Sequence, residues 1–340
     1  MKFNIAALLL LLLFSVSAEA QDRLRIAGSG TVYPFSASVA EHFGKAGDFK
    51  TPVVEATGTG AGMKLFCGGL TEASPAIINA SRAILPGEKE SCAKNGIHTI
   101  VEVKFGYDGI VIANSLESHK FRLTRKQLFL ALARFVPREG KMITNPYLQW
   151  SEIDPALPAV AIKVYGTPPV SGTYDTFIEL VMKKGCEKLK EIEEIVKDKT
   201  EREKKCKMLR EDGVFIEAGE NGNLITQKLI SDRNALGILG FSFLDQNSSR
   251  IQGSIIDEST PSFESIQSGA YPISRLLYFY IKGEAVSAHP AIKEYVSEFM
   301  SEGAIGDEGY LVIQGLVPLP EAERIKTRNL VMQALENIKQ

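Results

Sequence analysis

Apolar and polar positions change period three times along this chain, each time across a glycine-rich turn. Leu24-Arg25-Ile26-Ala27, Pro52-Val53-Val54-Glu55-Ala56 and Ala161-Ile162-Lys163-Val164-Tyr165 read as short strands. The first runs into Gly28-Ser29-Gly30-Thr31, after which Phe35, Val39 and Phe43 recur every fourth residue, as on a helix face. The second runs into Gly58-Thr59-Gly60-Ala61-Gly62 and an apolar stripe of Met63, Phe66, Cys67 and Leu70. The third reaches Ser171-Gly172-Thr173, where Phe177, Leu180 and Val181 open a helix. Strand and helix alternating in this way predict α/β layers with parallel strands.

The N-terminus follows a different pattern. Lys2 is followed by an unbroken apolar run over 5–14 and by Ala18-Glu19-Ala20, a small-x-small cleavage signal. Ten apolar residues are too few to span a bilayer, so residues 1–20 are expected to be a signal peptide, removed before Gln21. Cleavage after Ala18 satisfies the same rule. Because no cysteine precedes Cys67, no lipid anchor is expected. The exported protein would be soluble and, by default, monomeric.

Thirty-nine Lys and Arg against 41 Asp and Glu leave a net charge of −2, which argues against a nucleic-acid partner. The four cysteines are too few for a disulfide scaffold, yet in an oxidising compartment an even number implies bridges. Three pairings are open, and sequence order favours Cys67–Cys92 with Cys186–Cys206. The second pair brackets most of Lys183–Asp212, where 20 of 30 residues are charged. One straight helix would hold Cys186 and Cys206 roughly 30 Å apart, so their pairing requires the chain to fold back. Thr200-Glu201-Arg202-Glu203 has the form of a capping box. An antiparallel helical hairpin turning near Asp198 is the expectation. No His or second Cys stands at ligand spacing beside either cysteine, so no metal is expected, and nothing in the chain calls for a cofactor.

The turns suggest anion chemistry. A helix N-terminus presents unpaired N–H groups and a partial positive charge, glycines let backbone approach a ligand, and Ser or Thr hydroxyls add donors. None of the three has the Walker or dinucleotide spacing. Asn79-Ala80-Ser81-Arg82 follows the apolar Ile77-Ile78, and Arg82 is the one guanidinium in these motifs able to fork onto an oxyanion. The alternative for Arg82 is a surface salt bridge, and for each Ser or Thr a simple helix cap.

Taken in order, Gly28-Ser29-Gly30-Thr31-Val32-Tyr33-Pro34, Gly58-Thr59-Gly60-Ala61-Gly62, Asn79-Ala80-Ser81-Arg82, Tyr107-Asp108-Gly109 and Ser171-Gly172-Thr173 resemble the periplasmic phosphate-binding proteins of ABC transporters. These belong to the type II periplasmic-binding-protein group, and the similarity runs from about residue 24 to 335. The resemblance implies a two-lobed clamshell, each lobe a mixed, mostly parallel sheet flanked by helices. Lobe 1 would comprise residues 21–110 and 277–340, and lobe 2 residues 111–276 with the charged hairpin 183–212 inserted. The crossings would be the apolar runs Gly109–Asn114 and Arg275–Ile281. The resemblance further implies capture of inorganic phosphate in the periplasm and delivery to an inner-membrane ABC permease.

Carried over by position, its ligand set is the Thr31 hydroxyl and Val32 N–H, Thr59 and Gly60, Ser81 and Arg82, and Ser171, Gly172 and Thr173. The family commonly places an aspartate just before the Ser-Gly-Thr, to accept the proton that phosphate has and sulfate lacks. Here Pro168-Pro169-Val170 stand there, and Asp108 is the candidate substitute. Asp175 is assigned instead to its own helix N-terminus. Sulfate, molybdate or a phosphonate as ligand therefore remain open, as does an interaction protein whose site is non-functional. A hydrolase using Ser171 or Ser29 finds no base, because His42, His98, His119 and His289 all lie outside these turns, and no Gly-x-Ser-x-Gly elbow occurs.

Overall fold

The computed structural model describes residues 23–338 except Asp48, Glu72, Val170, Glu220 and Asn221; the expected signal peptide and Val170 lie outside the described residues. Its main sheet has ten strands, numbered here β1 (Arg25–Gly28), β2 (Val53–Ala56), β3 (Ile77–Ala80), β4 (Ile100–Ser115), β5 (Val164–Gly166), β6 (Phe215–Glu217), β7 (Leu236–Gly240), β8 (Ile251–Gly253), β9 (Ser274–Lys282) and β10 (Val317–Pro318). The order is β2-β1-β3-β9-β4-β7-β5-β6, with β8 and β10 also on β4. Both ends of this order are parallel: β1 pairs with β2 and β3, and β5 with β6 and β7. The centre, where β9 and β4 meet, is antiparallel. The fold is thus the mixed α/β arrangement expected, but not a mostly parallel one: β4 and β9 pair antiparallel with every neighbour, giving five antiparallel pairings against four parallel ones.

Two large hydrophobic cores and a smaller one, around Met63, Phe66, Ile78 and Tyr280, share this sheet. One large core gathers Ile26, Val39, Ile77, Phe105, Phe279 and Phe299. The other large core gathers Ile112, Leu132, Trp150, Val164, Ile225 and Leu239. Strand β4 passes from the first core, at Val103 and Phe105, into the second, at Ile110 to Ala113. Its sixteen residues are buried along most of their length, which is why GIVIAN shows no alternation.

The three strand–turn–helix junctions are present. Helix Tyr33–Ala46 buries Phe35, Val39 and Phe43 as its spacing predicts. Helix Thr59–Phe66 buries Met63 and Phe66, but it stops before the Gly68-Gly69 pair, so the predicted stripe does not extend to Leu70, which is exposed. The third helix begins at Gly172–Phe177, continues as a π segment, Ile178–Lys183, and ends as Lys184–Glu187.

Both cysteine pairs form the favoured bridges, Cys67–Cys92 and Cys186–Cys206. Between the second pair the chain runs through helix Lys190–Ile195 and returns in helix Lys199–Cys206, with Cα atoms of the bridge 5.6 Å apart. The expected capping box at Thr200 is not the cap. Asp198 is, its carboxylate accepting the Glu201 N–H at 2.7 Å. A full negative charge is a stronger partner for a helix N-terminus than a hydroxyl, so the helix starts early enough to enclose Thr200. Arg202 closes the turn by donating to the carbonyls of Val196 and Lys197.

Candidate functional site

Strands β2, β1 and β3 are parallel neighbours, so their C-terminal ends lie side by side. That topology, rather than sequence proximity, brings the turns after Gly28, Ala56 and Ala80 to one edge, where open α/β sheets bind ligands. Gly28 has φ 131°, and a Cβ there would lie 2.1 Å from the Asn79 carbonyl oxygen, so only glycine lets β1 leave the sheet this close to β3. The turns face a cleft of about 830 Å³ whose other wall is the helix beginning at Gly172 and its π segment.

Five of the ten expected ligand residues line this cleft: Thr31, Thr59, Gly60, Ser81 and Arg82. Thr59 and Ser81 are joined, the Thr59 Oγ1 accepting the Ser81 N–H at 3.2 Å with the two hydroxyl oxygens 3.3 Å apart. Arg82 does fork onto a carboxylate, but it is that of Glu88, with Nη2 to Oε1 at 2.7 Å and Nη1 to Oε2 at 2.9 Å. Burial would raise the Glu88 carboxyl; the Arg82 bonds and the Leu85 N–H outweigh it and hold Glu88 below the usual range. The surface salt bridge is thus the observed partner of Arg82.

The other five stand outside the lining. Val32 is fully buried at the start of its helix, and its N–H meets no acceptor among the described residues. Ser171 caps its own helix, accepting the Thr173 N–H at 3.2 Å. Gly172 lies against the first turn, where a Cβ would come within 2.5 Å of the Thr31 Cα, so the two walls of the cleft touch at this point. The Thr31 hydroxyl spans the contact to the Gly172 carbonyl at 3.3 Å. Asp108 lies on β4 directly opposite Arg275 of β9 and does not reach the cleft lining.

Arg275 is the residue that motif reading missed. It lines the cleft from below, with its side chain 14% exposed, and its Nη2 donates to the hydroxyls of Thr31 at 2.7 Å and Thr176 at 2.5 Å. Its Nε is 3.6 Å from Asp108 Oδ2, an ion-pair distance beyond hydrogen-bond range, and is buried without a hydrogen-bond partner. The Thr176 hydroxyl also lies 2.7 Å from Asp108 Oδ2 and 2.9 Å from the Gly172 carbonyl, and its single proton serves one of them at a time. Burial lowers the guanidinium's proton affinity, with Asp108 and Asp175 opposing that change. Burial likewise raises the Asp108 carboxyl, and Arg275 and Thr176 offset it only in part. Asp175 lines the cleft with much of its surface exposed, its carboxyl is raised chiefly by partial desolvation, and its Oδ2 sits 3.2 Å from where a Gly30 Cβ would be. The one sequence signal for Arg275 is a lone cation heading the apolar run RLLYFYI.

Residues 15–303 match the PBP superfamily domain. Protein SphX of Synechococcus elongatus is 28% identical over 311 residues, covering 89% of this chain and 80% of that protein. The phosphate-binding protein PstS of Staphylococcus saprophyticus is 26% identical over 313 residues, covering 90% and 83%. Among solved structures, a possible phosphate binding protein from Planctomyces limnophilus superposes with a TM-score of 0.72 at 24% identity, covering 94% of this chain and 99% of that one. An ABC-type phosphate transport receptor from Vibrio cholerae superposes at 0.56 and 16% identity, covering 83% and 95%. These superpositions show the fold. With the family match spanning most of its length and the ordered turns in place on that fold, the chain belongs to the PBP superfamily.

Proposed function

We propose that this protein is an extracytoplasmic receptor that captures inorganic phosphate in the cleft and delivers it to an ABC permease. The observation that carries this reading is Arg275: a guanidinium at the cleft floor that orients a hydroxyl from each wall, with no carboxylate within hydrogen-bond distance. A buried cation so placed favours an anion above it, and neutral donors complete the shell. The names of the relatives support phosphate, and two disulfides suit an oxidising compartment. Among the described residues no helix is long and apolar enough to cross a membrane.

Lobe 1 is proposed as residues 21–110 with 277–340 and lobe 2 as 111–276, with hinge motion about β4 and β9 opening the cleft. Thr31, Thr59, Gly60, Ser81 and Arg275 form the proposed ligand shell, with the Val32 N–H beneath it. Ser171, Gly172 and Thr173 close the far side through their helix start. Asp175 replaces Asp108 as the proposed acceptor of the phosphate proton, because it lines the cleft and Asp108 does not. The test is calorimetric titration of refolded, ligand-free protein with phosphate and with sulfate from pH 5 to 8. Phosphate binding with little sulfate response is expected. Equal binding of both would remove the phosphate assignment, and binding of neither would remove the receptor reading.

A further inference from the structure

The charged hairpin contributes to the cleft. Lys207, the residue after the bridged Cys206, lines it beside Lys183 and Lys184, on the wall that carries the π segment. Lys183 and Lys207 share a single carboxylate, that of Glu179 in the π segment: Lys207 is hydrogen-bonded to Oε1, and Lys183 is 3.8 Å from Oε2. Two ammoniums on one carboxylate leave an uncompensated positive charge at the cleft rim. Asp175 lines the cleft with Lys207 and Arg275, and both cations act against the rise that burial imposes on its carboxyl. Of the other cations in the lining, Arg82 and Lys184 are paired with Glu88 and Glu187, and Arg275 stands 3.6 Å from Asp108, so the unmatched ammonium belongs to the Lys183–Lys207 pair.

Size adds to this. The two walls already touch at Thr31 and Gly172, yet the cleft retains about 830 Å³. A water occupies roughly 30 Å³ of liquid, so one five-heavy-atom oxyanion fills only a small part of that volume.

We propose that the hairpin builds a second anion subsite, at Lys183 and Lys207, and that the cleft takes a ligand with two linked phosphate groups, a condensed phosphate. This rests on the oxyanion-receptor reading above. One phosphate group occupies the floor at Arg275, and the other displaces part of the Glu179 pairing at the rim. The Cys186–Cys206 bridge acts as a positioning element, holding Lys207 at the end of its helix. Partly exposed lysines pair weakly, so exchanging Glu179 for a ligand anion costs little.

The test is calorimetric titration of the full refolded protein with inorganic pyrophosphate, inorganic phosphate and glycerol 2-phosphate. Pyrophosphate should bind at least tenfold more tightly than phosphate. Lys207→Met should remove about tenfold of pyrophosphate affinity and change phosphate affinity less than twofold. Glu179→Gln, which leaves both lysines in place, should tighten pyrophosphate several-fold. Phosphate binding without pyrophosphate binding overturns this inference and leaves the receptor reading standing, whereas binding of no anion overturns the receptor reading itself. Glycerol 2-phosphate binding as tightly as pyrophosphate overturns it too, because room rather than a second charge would then explain affinity. So does equal loss of phosphate and pyrophosphate in Lys207→Met.

Discussion

Arg82 and Arg275 look into the same cleft and differ in what holds them. At the Arg82 side a guanidinium is locked to Glu88 by two short parallel bonds, its charge matched by a carboxylate six residues away. On the floor, Arg275 is more deeply buried, bonded to two neutral hydroxyls, and has its nearest carboxylate at 3.6 Å. A motif position thus carries a neutralised cation, and a position outside every motif carries one with less than half of its hydrogen-bonding capacity used. The comparison teaches that the type and spacing of a charged residue say less about ligand binding than the charge placed against it.

The most severe way to break this contrast is Arg275→Gln. It should weaken phosphate binding by ~3 kcal/mol, about 100-fold, since one partner of a buried charged contact is lost. Circular dichroism and thermal unfolding would check that the variant folds, and calorimetry would read the affinity. Wild-type affinity in a folded Arg275→Gln protein would take Arg275 out of the site.

A smaller effect is expected at the other arginine. Arg82→Ala should cost under about 1 kcal/mol in phosphate binding, because the guanidinium is already committed to Glu88. Glu88→Gln should act in the opposite direction, freeing Arg82 and tightening binding about fivefold. If Arg82→Ala instead costs as much as Arg275→Gln, the fork must open to the ligand and the contrast between the two arginines disappears.

The smallest expected effect is on stability against pH. Burial raises the Asp108 carboxyl above its unfolded value, with Arg275 and Thr176 offsetting only part of that rise. The folded state therefore holds this proton more tightly. Its contribution is fully present below the unfolded pKa and is lost as pH rises through the folded one. Urea midpoints measured from pH 3 to 7 should show this decline in the wild type and a flatter profile in Asp108→Asn. Matching profiles would mean that Asp108 keeps an ordinary affinity for its proton beside Arg275.

Much of the architecture was legible because it is local. A strand running into a Gly/Ser/Thr turn and then a four-residue apolar spacing is written within some twenty residues, as at Arg25–Ala46. The hairpin was legible for a similar reason: two cysteines twenty residues apart cannot pair across a straight helix. Its cap was misplaced because Asp198 and Thr200 both suit a helix start, and the choice between them depends on where the turn closes. The π segment left no mark, since Ile178–Lys183 has the composition of any amphipathic helix. Glu88 drew no attention because an acidic residue in a first helical turn has a sufficient local role.

Sequence by itself determined the alternation of strand and helix and the positions of the glycine turns, each through steric or periodic constraints that act within a short stretch of chain; it favoured the bridge pairing, which the structure settled. Tertiary structure alone decided which charges face the cleft. Arg275 and Thr31 are 244 residues apart yet 2.7 Å in contact, because β9 runs antiparallel to β4 beneath the ends of the parallel strands. Arg82 and Glu88 are only six apart, yet their pairing depends on how the chain turns after β3. Charge interactions act through space and are set by burial and by the nearest opposite charge, neither of which is encoded at any single position of the chain.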